Sequence, residues 1–271
     1  MTGFMAATEI KPTWGKGRRI TFYVAVGLSL LVLAGYPPIL AGPVVAWLDG
    51  ETLDALFSEE GLVIHRVHIE GATLLFWLTI VAMVSQFRRP EARPAPLLAA
   101  AAAWVVFLPV EFTHLVDPFT VIITTLVVGV VALHPRRWPE QPIRWRSRPL
   151  AVAGFGSLLA LAYFIQELRL QLMGSAGDPH VDDTHYGIMA ALAVGIAVSA
   201  VLGASDVPGH RISTWSAAII TVALGAFFIG HTEYASAVPA GWGVLMIAWA
   251  AVYLWLTTQP SDESEDDRVS V

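Results

Sequence analysis

Residues 185–204 read HYGIMAALAVGIAVSAVLGA, and this stretch decides the fold class. It contains no Asp, Glu, Lys or Arg, and its histidine stands first. A helix of this length rises about 30 Å, the thickness of a bilayer's hydrocarbon core. Seven further apolar runs lie at 20–40, 66–87, 95–112, 118–134, 149–172, 212–230 and 239–257. The chain of 271 residues is 55% hydrophobic and 14% charged, with mean hydropathy +0.62. A soluble domain carries about 25% charged residues. The pattern predicts an all-α polytopic membrane protein with eight transmembrane helices. Pro37, Pro38 and Pro43 interrupt the first run, so its outer end unwinds or kinks. Residues 51–60 are short and amphipathic and lie on the outer surface rather than crossing.

The basic residues orient the chain. Lys11, Lys16, Arg18 and Arg19 precede the first run, and Arg88, Arg89 and Arg93 separate the second from the third. Arg136, Arg137, Arg144, Arg146 and Arg148 separate the fourth from the fifth, Arg211 precedes the seventh, and Arg268 lies in the tail. With eight spans all of these share one side, and only Arg66 and Arg169 fall on the other. The positive-inside rule then places the protein in the cell membrane with both termini cytoplasmic. The first run follows Arg18-Arg19 without a small-x-small cleavage site, so it reads as a span rather than a signal peptide. Residues 259–271 form an acidic tail, expected to be disordered and cytoplasmic. The net charge of −6 is sorted by side of the membrane; the expected partner is the lipid bilayer and not nucleic acid, and no protein partner can be named. There are no cysteines, which excludes disulfides, thiolate metal sites and iron–sulfur clusters. A metal or haem would have to be held by His or carboxylate.

Six of the eight histidines fall at the outer edge: His65, His68, His114, His180, His185 and His231. Glu70, Glu111, Asp117, Asp182, Asp183 and Glu233 accompany them. His134 and His210 sit at cytoplasmic ends and read as ordinary interfacial residues. His68 and His114 are 46 residues apart, as are His185 and His231, and the two pairs are offset by 117. The chain therefore divides into two pseudo-symmetric four-helix halves, 1–140 and 141–258, related by an axis along the membrane normal. Ionisable groups at membrane depth are costly and mark functional sites. Histidines facing each other across a bundle can ligate haem iron or another metal. His65 and Asp182 lie three residues before a paired histidine, on the same helical face, as proton acceptors or supporting partners. Arg66 could fork onto a haem propionate. Glu111, His180, Asp182 and Glu233 are supporting groups or alternative ligands. Glu167 and Arg169 could shield each other or reach for water.

The topology, with His68, His114, His185 and His231 at these positions, resembles the haem A synthase family. The resemblance implies an eight-span fold and a haem-binding oxidoreductase that carries haem b in its C-terminal half. His185 and His231 would ligate that haem. His68 and His114 would flank a substrate haem, with His65 or Glu70 handling protons. The sequence departs from that family in having His65 three residues before His68, Ile69 after it, and no outer cysteine pair. Two other expectations stand beside it. The His and carboxylate groups could hold Zn, Cu or non-haem Fe, with Glu111 and His114, or His65 and His68, gripping one ion. The same groups could titrate near neutral pH in a transporter or proton sensor without metal.

Overall fold

The computed structural model describes residues 15–35, 47, 65–113, 117–135, 142–175 and 177–259. Helix α1 spans Lys16–Ala34, α2 Arg66–Ser85, α3 Pro94–Glu111 and α4 Pro118–Leu133. Then follow α5 at Ser147–Met173, a single turn α6 at Pro179–Asp182, α7 at His185–Gly203, α8 at His210–Gly230 and α9 at Ala240–Thr258. Among the described residues there is no β-strand, only an isolated bridge between Trp145 and Ser205. Seven of the helices (α1, α2, α3, α5, α7, α8 and α9) are long and apolar enough to cross a membrane; α4, with 16 residues, is shorter.

The helix ends follow from local chemistry. Asp117 caps α4 by accepting hydrogen bonds from the backbone N–H groups of Phe119 and Thr120, and Pro118 occupies the first helical position. Pro94 opens α3 in the same way. At the basic end, arginines close helices by donating to carbonyls that have no intrahelical partner. Arg18 donates to Leu133 O and His134 O at the end of α4. Arg146 donates to Gly203 O in α7 and Thr257 O in α9. His134 lies 3.0 Å from Pro90 O through Nε2, and His210 lies 3.1 Å from Val207 O through Nδ1. Both are structural residues of that end, as their positions in the sequence suggested.

Helix α7 is the hub and packs on α2, α3, α5 and α8. These neighbours, α5 excepted, are buried over most of their length, whereas α1, α5 and α9 are largely exposed on the outside of the bundle. The core between them is built of large side chains such as Leu75, Met83, Trp104 and Phe227. Trp104 donates its indole N–H to Thr79 Oγ1 at 2.8 Å, so its one polar atom is satisfied within the apolar interior. Gly71 lets α2 and α7 approach closely, because a Cβ there would overlap the sulfur of Met189. Gly187 does the same for α7 and α3, where a Cβ would come within 2.7 Å of Val110 Cγ1.

Candidate metal centre

The close approach of α2 and α7 brings their first turns together at the end opposite the arginines. His65 stands at the N-cap position of α2 and His68 lies one turn on. His185 is the first residue of α7, and His180 lies in the α6 turn just before it. The four imidazoles form a closed ring of contacts. His65 is 4.7 Å from His180 and 4.5 Å from His185, centroid to centroid. His68 is 4.9 Å from His180 and 5.2 Å from His185. The diagonals, His65–His68 and His180–His185, are 6.5 and 6.1 Å. One ring nitrogen from each of His65, His68 and His180 lies within 4.8 Å of the others, a grouping that can hold a metal ion.

Two of the rings, His180 and His68, are braced by groups around them. His180 Nδ1 lies 3.0 Å from Asp178 Oδ1, which also accepts the His180 backbone N–H. Burial works against ionisation of Asp178, but these hydrogen bonds and the charge of His180 and His65 outweigh it and hold the carboxyl below its ordinary range. With Nδ1 engaged, His180 has Nε2 to offer an ion. His68 is 1% exposed, and its Nε2 lies 2.8 Å from Ser236 Oγ. Ser236 in turn donates to Glu167 Oε2 at 2.5 Å, and Tyr163 donates to the Ser236 carbonyl at 2.8 Å. Gln171 donates to Val181 O and accepts the Gly187 N–H, which ties α6 to α7. The turn between them passes through Thr184 in the left-handed region at φ 56, where a β-branched residue is strained. Thr184 is held there by donating to Glu111 Oε1 at 2.6 Å. Glu111 Oε2 accepts the Asp117 N–H as well, so this carboxylate joins α3, α4 and the α6–α7 turn.

A cavity of about 470 Å³ reaches the cluster at His185. Glu111, Asp117, Asp182 and Asp183 line it together with the rings of Phe76, Trp104, Phe107 and Phe119.

The structure places the expected site residues as follows. His65, His68, His180 and His185 meet, although the sequence put His68 with His114 and His185 with His231. His114 lies outside the described residues. His231 stacks on Phe227 at 4.1 Å and packs against Trp47 and Tyr234; none of its described ring neighbours is a histidine. The pairing joins the two halves of the chain because α2 and α7 touch at their first turns. Arg66 places its guanidinium over the Tyr234 ring, 5.8 Å from the centroid. Glu70 is buried, and its Oε2 has no hydrogen-bond partner among the described residues. Asp182 is exposed and accepts the Gly177 N–H, and Glu233 is exposed. Glu167 is fully buried on Ser236 while Arg169 is exposed, so the two do not shield each other; residues two apart on a helix face different ways.

Sequence reasoning missed Tyr163, Gln171, Thr184 and Ser236. One signal was available for the first two: Tyr163, Glu167 and Gln171 recur every four residues in an otherwise apolar helix, and so share one face. Comparison with protein-family models, curated proteins and solved structures found no match for the chain.

Proposed function

We propose that this is a multi-pass membrane metalloprotein that holds one divalent transition-metal ion between His65, His68 and His180. The observation that carries the reading is the convergence of three ring nitrogens within 4.8 Å at the meeting of α2, α6 and α7. Nitrogens around a tetrahedral zinc sit about 3.4 Å apart at bond lengths of 2.0–2.1 Å, so modest side-chain rotation closes the site. Imidazole ligands suit Zn, Cu, Ni or Fe. Three imidazoles with a cavity reaching the adjacent His185 favour an ion with an open coordination position, the arrangement of catalytic rather than structural zinc.

The same reading has eight spans. Helix α4 counts as the eighth because its two ends are bound to opposite ends of the bundle, Asp117 N–H to Glu111 and His134 to Pro90 O. Two parallel four-helix halves are supported by burial, since the inner helices α2, α3, α7 and α8 are the second and third of each half. The arginine-rich end, with both termini, is cytoplasmic.

Metal analysis and an absorption spectrum of one detergent-purified sample test the proposal. Stoichiometric Zn, Cu, Ni or Fe without a Soret band supports it. A Soret band lost on substitution of His185 or His231 would instead favour the haem b oxidoreductase expected from the haem A synthase resemblance. Neither metal nor haem would leave the transporter or proton sensor.

A further inference from the structure

We infer that Ser236 and Glu167 set the tautomer of His68, so that His68 presents Nδ1 to the metal. This rests on the metal-centre reading above and names the residues that hold one of its ligands in the binding form.

A serine hydroxyl has a single proton to give. Ser236 Oγ and Glu167 Oε2 are 2.5 Å apart, the distance of a hydroxyl donating to a carboxylate. With its proton spent there, Ser236 Oγ can only accept from its second partner. That partner is His68 Nε2, at 2.8 Å, which carries the ring proton as long as Glu167 is ionised. The lone pair is left on Nδ1, which is buried and has no hydrogen-bond partner among the described residues. A buried acceptor without a donor is costly, and an ion coordinated there removes the cost. Metal-bound histidines commonly owe their tautomer to a carboxylate or carbonyl on the other nitrogen. Here a hydroxyl stands between ring and carboxylate.

The backbone supports a dedicated role. Ser236 sits in the left-handed region at φ 65, where glycine would be favoured over any residue with a Cβ. The carbonyl of this strained residue is held by Tyr163, four residues before Glu167 on the same face of α5. One helix face therefore fixes both the main chain and the hydroxyl of Ser236. Glu167 is 0% exposed, and Ser236 is its only described hydrogen-bond partner.

Two substitutions in the full-length protein separate this role from a structural one. Ser236→Gly removes the hydroxyl and suits the positive φ, which offsets part of the stability lost when buried Glu167 loses its described hydrogen-bond partner. Affinity for Cu(II) or Zn(II) should nevertheless fall roughly 10–100-fold. Glu167→Leu removes the acceptor, freeing Ser236 to donate to Nε2 and moving the ring proton to Nδ1. Nitrogen NMR of ¹⁵N-histidine-labelled, metal-free protein reads the tautomer directly. The expected result is Nε2–H for His68 in the wild type, a mixture in Ser236→Gly and Nδ1–H in Glu167→Leu. Pulsed EPR of the Cu(II) form should show the remote nitrogen of His68 losing its hydrogen bond in Ser236→Gly. A wild-type His68 found as Nδ1–H, or an unchanged remote-nitrogen signal in Ser236→Gly, overturns the inference and leaves the metal centre standing. Failure of the wild type to bind any of these ions overturns the metal centre and, with it, the purpose of the pair.

Discussion

The imidazoles of His68 and His185 lie nearly face to face, with planes 19° apart and centroids 5.2 Å apart, although 117 residues separate them in the chain. Each opens a central helix, and those two helices touch because Gly71 gives Met189 room. The contact leaves the rings packed on each other and on His65 and His180. Such a cluster suits a single small ion shared among its members. Substituting His65, His68 or His180 by Ala should therefore lower zinc or copper affinity by more than the roughly 10–100-fold that loss of a supporting partner costs. His231→Ala should leave metal content unchanged, because its described ring neighbours are Phe227, Trp47 and Tyr234. Equilibrium dialysis with metal analysis on the four variants checks both halves of this expectation.

Acid should empty the site. A protonated imidazole cannot ligate, so affinity should fall as the pH is lowered, with protons taken up as the ion leaves. Asp178 behaves oppositely. Its carboxyl is held below the ordinary range, so what it contributes is present above its unfolded value and lost only as pH falls through the lower folded one. It therefore stays ionised through the neutral range and does not set the transition. Its side chain is 36% exposed, which weakens its charge through solvent screening. Asp178→Asn should still lower affinity within the 10–100-fold range of supporting partners, with the shape of the pH curve retained. Zinc-binding isotherms at several pH values give both quantities.

The helix contact that assembles the cluster can be tested away from it. A side chain at Gly71 would press on Met189, which is fully buried in the core. Overpacking of this kind costs about 1–3 kcal/mol and is relieved by moving backbones apart. Gly71→Val should lower thermal stability and metal affinity together, although residue 71 bears no ligand. Gly71→Val with Met189→Ala should recover much of both, since the overlapping sulfur is then gone. Independent losses in the double variant would show that the α2–α7 approach does not build the site.

Much of this arrangement was legible in the chain. An uncharged run is conspicuous, and the run at 185–204 became a helix over His185–Gly203. The first helix begins at Lys16, before the expected 20, because a basic side chain can lay its stem along the helix and carry its charged head to a polar partner, as Arg18 does with the His134 carbonyl. Histidines stood out because ionisable groups are scarce in such a sequence. Which of them meet could not be read, since that depends on glycine-mediated packing between helices far apart in the chain. The 46-residue spacing suggested pairs within each half, whereas among the described residues His65 and His68 meet His180 and His185 across the halves. Ser236 was invisible for another reason: a hydroxyl in a short turn carries no signal until its 168-residue separation from His68 is closed by folding.

Absence of cysteine makes the topology directly measurable, since any introduced thiol is unique. Glu91 and Arg144 are exposed at the arginine-rich end, and Glu233 is exposed beside the histidine end. The positive-inside rule predicts that Glu91→Cys and Arg144→Cys resist a membrane-impermeant maleimide in intact cells and react once the membrane is opened. Glu233→Cys should react in intact cells. The reverse pattern would invert the protein and give the metal centre a cytoplasmic supply. Arg144→Cys is the informative member, because it reports on α4. That helix of 16 residues covers about 24 Å, short of a typical hydrocarbon core, so it crosses only where the bilayer thins or its flanking residues reach for water. Labelling of Arg144→Cys in intact cells while Glu91→Cys and Glu233→Cys stay protected would remove α4 from the spans, because three crossings separate Arg144 from Glu233. Labelling with Glu91→Cys fixes eight crossings and sets His65, His68, His180 and His185 on the face away from the cytoplasm.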